Sequence, residues 1–125
     1  LEVAKASGAR VLSIVNSRGS TIDRLSDFSL HINAGQERAV ASTKAATSQL
    51  SILMLLAYAC IDQLPEGRRH LVELSAQIND LLNPRFTEFV ASIAKSISDQ
   101  QNIFIIGRGT NYPMALEAAI KIQEV

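Results

Sequence analysis

Val11-Leu12-Ser13-Ile14-Val15 is a short, almost continuous apolar run, and it indicates the class of fold. A run without alternation is typical of a β-strand that is buried on both faces, as the strands of parallel sheets are. Gly8 stands where a helix C-terminal stop is expected, so residues 1–7 fit the last turns of a helix. A second apolar run at residues 102–106 precedes a glycine loop and a helical segment. The sequence therefore predicts an α/β protein with a parallel sheet.

The segments between these two strands are predicted to be mostly helical. Residues 42–61 are apolar nearly all round, which predicts a central packed helix that carries Cys60 as a buried side chain. Leu64-Pro65-Glu66-Gly67 is expected to break that helix. The other predicted elements are a helical turn at residues 21–25, a short strand at 28–32, and two amphipathic helices at 68–83 and 86–97, which Asn83-Pro84 separates.

Composition is that of a globular domain with a hydrophobic core. Hydrophobic residues make up 47% of the chain, and twelve basic residues balance twelve acidic ones. This balance gives no reason to expect a nucleic acid or a membrane as partner. A single cysteine excludes a disulfide framework, and we expect a reducing, cytoplasmic setting. His31 and His70 have no companion ligands nearby in sequence, so no metal site is predicted.

The segment from Ala34 to Lys44 has the character of a ligand loop that leads into a helix. Gly35 and the small residues around it let backbone amides come close to a bound group. Ser42 and Thr43 place hydroxyl groups and a helix cap where four backbone N–H groups are free. These features predict a small anionic or polyhydroxylated ligand.

The loop Gly107-Arg108-Gly109 lacks the third glycine of the dinucleotide fingerprint and the lysine ending of a P-loop. A tight turn that lets the next helix pack closely explains it as well as ligand contact does. Glu117, Lys121 and Glu124 follow at spacings of four and three, so they lie on one helix face. Such a face can move protons next to a carbonyl group or can be a solvated salt-bridge stripe, and spacing alone favours the stripe.

Two blocks, residues 33–50 and 107–124, resemble the isomerase region of the glucosamine-6-phosphate synthases, the glutamine:fructose-6-phosphate aminotransferases. That region consists of tandem sugar isomerase (SIS) domains, and the resemblance covers essentially the whole chain. It implies an SIS-type three-layer α/β/α fold with a parallel sheet. It assigns residues 1–64 to the C-terminal half of a first SIS domain, 65–83 to a helical linker and 84–125 to the N-terminal part of a second.

The resemblance also implies the activity of a glutamine-fructose-6-phosphate transaminase (isomerizing). Such an enzyme joins ammonia, released from glutamine, to fructose 6-phosphate and then isomerises the ketose imine to glucosamine 6-phosphate. Val40 and Ser42 match loop positions that contact the sugar. Glu124 matches the carboxylate that moves a proton between C1 and C2. Lys121 matches the lysine that assists ring opening. The family needs no metal or organic cofactor, and it implies a homodimer in the full-length protein.

Further parts of the family's site fall outside the chain. A phosphate loop is expected before residue 1, and a partner-subunit histidine and a Schiff-base lysine after residue 125, so this piece alone is expected to be inactive. Two other readings stay open: a related SIS deaminase or deglycase, and a noncatalytic SIS sensor of sugar phosphates. Tyr112-Pro113 favours the synthase, and the presence of both Lys121 and Glu124 argues against a sensor.

Overall fold

The computed structural model describes residues 1–124 and is an α/β protein that consists mostly of helices and has one small parallel sheet. It has two compact units, Leu1–Gly67 and the residues from Arg68 onward. Across residues 1–124, no helix is both long enough and apolar enough to cross a membrane. In chain order the elements are α1 (Glu2–Ala6), β1 (Leu12–Val15), α2 (Thr21–Leu25), β2 (Phe28–His31), α3 (Lys44–Cys60), α4 (Leu64–Leu81), α5 (Pro84–Ile97) and α6 (Asn111–Gln123).

The sheet of the first unit pairs β1 with β2 in parallel, with Leu12 opposite Phe28 and Val15 opposite His31. Both strands and a parallel sheet were predicted, and the structure confirms them; which strands pair was not predicted. The prediction that β1 is buried on both faces is wrong. Val15 is 8% exposed, but Leu12 is 48% exposed. Within residues 1–124 the sheet has two strands, so too little structure surrounds it to bury both faces.

Helix α3 has the predicted position but not the predicted surroundings. It runs from Lys44 to Cys60, and none of its residues is buried. Cys60 is exposed, so its prediction as a buried side chain is wrong. An all-round apolar helix becomes a central helix only when neighbours cover every side, and α3 packs chiefly on β1 within the described residues.

The predicted helix break is displaced toward the N-terminus. The chain turns at residues 61–63, where Asp62 has a positive φ of 56°. Leu64 and Pro65 then begin α4 instead of ending α3. Proline suits this place because the first turn of a helix leaves its N–H groups without helical partners.

The second unit confirms one sequence prediction and contradicts another. Asn83 caps α5 by accepting a hydrogen bond from the Phe86 N–H at 2.9 Å, with Pro84 in the first turn, as the Asn83-Pro84 division predicted. Residues 102–106 form no strand, and Phe104 and Ile106 are 88% and 92% exposed. A strand exists only where its backbone pairs with a neighbour, and the part of the chain that the structure describes offers this segment none.

Candidate functional site

An open cavity of about 830 Å³ lies in the first unit, just beyond the carboxyl ends of both strands. Asn16 directly follows β1, and Asn33 lies two residues beyond β2. In open α/β sheets this edge is where ligands bind. The residues that line the cavity are Asn16, Ser17, Arg18, Asn33, Gly35, Gln36, Glu37, Ser42 and Ala45.

The Asn16 side chain fixes the start of the β2–α3 loop, residues 32–43. Its Oδ1 accepts a hydrogen bond from the Ala34 N–H at 2.9 Å, and its Nδ2 donates one to the Gly35 carbonyl at 2.6 Å. Gly35 has a φ of +73°, which a residue with a side chain rarely adopts, so this glycine permits the bend that brings both groups to Asn16. The sequence interpretation did not single out Asn16, although its place after a buried strand was a usable signal.

The N-terminus of α3 is capped differently from the prediction. Thr43 is the N-cap residue but makes no side-chain cap, with φ and ψ of −118° and −68° instead of the extended conformation that lets a cap side chain reach the helix. The Glu37 carboxylate accepts the Ala45 N–H at 3.3 Å in its place. The predicted hydroxyl cap is therefore wrong, and one of the four N–H groups expected to be free is occupied by Glu37.

The structure brings one of the two predicted sugar-contact residues to the cavity. Ser42 lies two residues before α3, is half-buried and lines the cavity. Val40 is 85% exposed and does not line it. At the other end of the loop the Lys44 ammonium donates to the Gln36 carbonyl at 2.6 Å, which ties the loop to the first turn of α3.

Asp23 holds the turn that forms another wall of the cavity. Its carboxylate accepts the Gly19 N–H at 2.7 Å and lies 3.3 Å from His31 Nε2. A hydrogen bond from Ser29, then those from Gly19 and His31, lower the pKa of Asp23 to about 2. His31 thus pairs with Asp23, and residues 1–124 contain no group of three or more His, Cys, Asp or Glu that could hold a metal ion.

This arrangement predicts a pH dependence of the cavity wall. The Asp23 pKa of about 2 lies below its ordinary value of 3.8, so the carboxylate stabilises the turn above about pH 4 and this stabilisation is lost as the pH falls through about 2. We expect the Gly19 amide resonance to titrate with an inflection near pH 2 in an NMR experiment. Asp23→Asn is the control and should abolish the inflection, whereas a titration of Gly19 near pH 4 in the native sequence would contradict the assignment.

In the second unit, Glu117, Lys121 and Glu124 share a face of α6, as their spacing predicted. The Lys121 ammonium lies 2.9 Å from Glu124 Oε2 and 3.3 Å from Glu117 Oε1. The hydrogen bond to Glu124, and after it the one to Glu117, raise the pKa of Lys121. Lys121 is therefore a cation at neutral pH that can donate a hydrogen bond or a proton but cannot serve as a base. A salt-bridge stripe and a proton-transfer pair both fit this geometry.

The glycine loop before α6 is a close-packed turn. A Cβ atom at Gly107 would overlap the backbone oxygen of Asn111 and lie 2.9 Å from the Cβ of Ala115. Gly109 has a φ of +61° with open space around it. These two glycines satisfy the tight-turn interpretation of the loop, one through close approach and the other through backbone conformation.

Comparison with known proteins finds one matching domain and one group of similar proteins. Residues 1–59 match the SIS domain. The whole chain aligns with proteins named glutamine–fructose-6-phosphate aminotransferase [isomerizing]: at 40% identity over 127 residues in Aquifex aeolicus, 39% over 139 in Pyrococcus horikoshii and 36% over 132 in Arabidopsis thaliana. The alignments cover 100% of this chain but 21%, 21% and 19% of those relatives, so the chain spans about a fifth of their length. No solved structure matches the chain significantly.

Proposed function

We propose that the chain is part of the isomerase region of a longer glutamine–fructose-6-phosphate aminotransferase, because residues 1–59 match the SIS domain and the whole chain aligns with such enzymes. In that protein it binds fructose 6-phosphate or the product glucosamine 6-phosphate and takes part in the ketose-to-aldose conversion. The observation that carries the proposal is the cavity at the carboxyl ends of β1 and β2, which lies within the segment that matches the SIS domain and is lined mostly by polar residues. The full-length protein is proposed to be a cytoplasmic homodimer.

The cavity offers the groups that a phosphorylated sugar requires. Ser42 and Ser17 supply hydroxyl groups that can donate to and accept from sugar hydroxyls, and Asn33 supplies an amide. Arg18 contributes the guanidinium group that suits an anionic oxygen. We assign sugar contact to Ser42 and to the exposed Val40, whose position in the β2–α3 loop matches the family's pattern.

Glu124 and Lys121 are proposed to perform the proton transfers. The Glu124 carboxylate removes a proton from C1 and returns it to C2, so that one base serves both carbons. Lys121, held as a cation, donates a proton to the ring oxygen as the C2–O ring bond breaks, and the anomeric hydroxyl gives its proton to water as the C2 carbonyl forms. The hydrogen bond between their side chains gives Glu124 a defined orientation. The proposal invokes no metal ion and no organic cofactor.

Ser42→Ala in the full-length aminotransferase tests the binding part of this proposal. The change removes one hydroxyl at the cavity without adding volume, and we expect fructose 6-phosphate to bind about tenfold more weakly, the scale of one lost hydrogen bond to a ligand. Isothermal titration calorimetry with fructose 6-phosphate measures it.

The matched control is Ser51→Ala, because the Ser51 hydroxyl donates only to the Thr47 carbonyl one turn back in α3. That variant should bind the sugar phosphate as the native protein does. Equal affinities for Ser42→Ala and the native protein would remove Ser42 from the site.

A further inference from the structure

We propose that Asn16 is a positioning residue, which holds the β2–α3 loop in the shape that presents Ser42 to the sugar phosphate. The inference rests on the proposed function, which supplies the sugar phosphate as the ligand. The holding role itself is argued from the hydrogen bonds of Asn16 in the first unit. Asn16 itself lines the cavity, but both ends of its amide are already engaged with the backbone of the loop. Asn16 therefore acts by holding the loop and not by binding the ligand with its amide.

The two hydrogen bonds of Asn16 act as a clamp. One amide group binds a donor, the Ala34 N–H, and an acceptor, the Gly35 carbonyl, on consecutive residues of the loop. Only a side chain with a donor and an acceptor side by side can satisfy both, which asparagine and not aspartate provides at neutral pH. Asn16 directly follows β1, so the clamp ties the loop after β2 to the end of the neighbouring strand.

The loop has a second attachment at its other end. Glu37 accepts the Ala45 N–H, and Lys44 donates to the Gln36 carbonyl. Residues 38–43 lie between Glu37 and Lys44 and include Ser42 and the exposed Arg38. Releasing the Asn16 clamp would remove the direct tie between the loop and the end of β1 and leave this stretch held only through α3, which packs on β1, so Ser42 would sample a wider range of positions.

Two variants of the full-length protein test the clamp. Asn16→Ala removes both hydrogen bonds. Asn16→Asp keeps an acceptor for the Ala34 N–H but turns a carboxylate oxygen toward the Gly35 carbonyl. We expect each to raise the KM for fructose 6-phosphate about tenfold while kcat changes by less than about twofold, because ground-state positioning is lost and the α6 groups are untouched. Asn79→Ala on the exposed side of α4 is the control and should leave both constants unchanged.

Limited trypsin digestion supplies a readout that does not depend on the ligand. Cleavage after Arg38, followed by mass spectrometry, should become faster in both Asn16 variants and stay unchanged in Asn79→Ala. If the native protein binds no fructose 6-phosphate, the proposed function fails, and faster cleavage still supports the clamp. Unchanged cleavage in both variants, or a fall in kcat as large as the rise in KM, would overturn it.

Discussion

Glu124→Gln is expected to lower the isomerisation of fructose 6-phosphate by the full-length protein about 10²-fold or more, the scale on which a general base contributes. Glutamine keeps the size of the side chain and can still bond the Lys121 ammonium through its carbonyl oxygen, but it cannot take a proton from carbon. A loss of 10²-fold corresponds to about 2.7 kcal/mol of transition-state stabilisation. An interaction confined to an exposed ion pair would not change the rate in this way.

The measurement is the isomerisation rate, with sugar-phosphate affinity determined separately so that binding and chemistry are not confused. Glu88→Gln on the exposed surface of α5 is the matched control and should have the native rate. An unchanged rate in Glu124→Gln would return Glu117, Lys121 and Glu124 to a surface salt-bridge stripe. If the isomerisation rate and the affinity for the sugar phosphate both fell, Glu124 would act in substrate binding instead of proton transfer.

Gly107→Ala is expected to destabilise α6 by about 1–3 kcal/mol, the range for forcing extra atoms into a closely packed place. The added methyl would overlap the Asn111 backbone oxygen, and backbone cannot move aside as a flexible side chain can. Because α6 carries Lys121 and leads into Glu124, the loss should reach the proposed catalytic pair. Hydrogen exchange of the α6 amides in the full-length protein should accelerate about 5- to 150-fold, which is that free energy expressed as an opening equilibrium.

Gly109→Asn serves as the control for the effect of Gly107→Ala on α6. Gly109 has a positive φ but open space around it, and asparagine tolerates that backbone conformation better than most residues. We expect α6 exchange rates near those of the native protein. Similar acceleration in both variants would show that backbone conformation, and not close packing at Gly107, governs the loop.

Elements whose signals are local were predictable from the sequence. The capping residue Asn83 and the proline after it set the start of α5, and the apolar run at residues 11–15 predicted β1 as a strand of a parallel sheet. Burial and strand formation at residues 102–106 were not predictable, because both depend on partners that local sequence does not specify. The same reason explains why α3, apolar nearly all round, has no buried residue.

The residues of the candidate site likewise divide into those that the sequence predicted and those that it did not. Ser42 was predicted to lie near the start of the helix and at a ligand crevice, and it lines the cavity two residues before α3. Asn16 and Asp23 were missed, since each acts on backbone groups that only the folded chain brings close: Asn16 on Ala34, eighteen positions away, and Asp23 on a turn beside the cavity. The roles of Val40, Ser42, Lys121 and Glu124 remain predictions, and the experiments above test those of Ser42 and Glu124.

The unpaired apolar segment at residues 103–106 has a consequence for how the protein behaves in concentrated solution. Three isoleucines and a phenylalanine follow one another there without a charge, and Phe104 and Ile106 are almost fully exposed. An apolar stretch of high strand propensity with unpaired backbone is a template for pairing between copies. Until another strand covers it, this segment promotes aggregation, so the yield of soluble protein depends on how quickly folding protects these four residues.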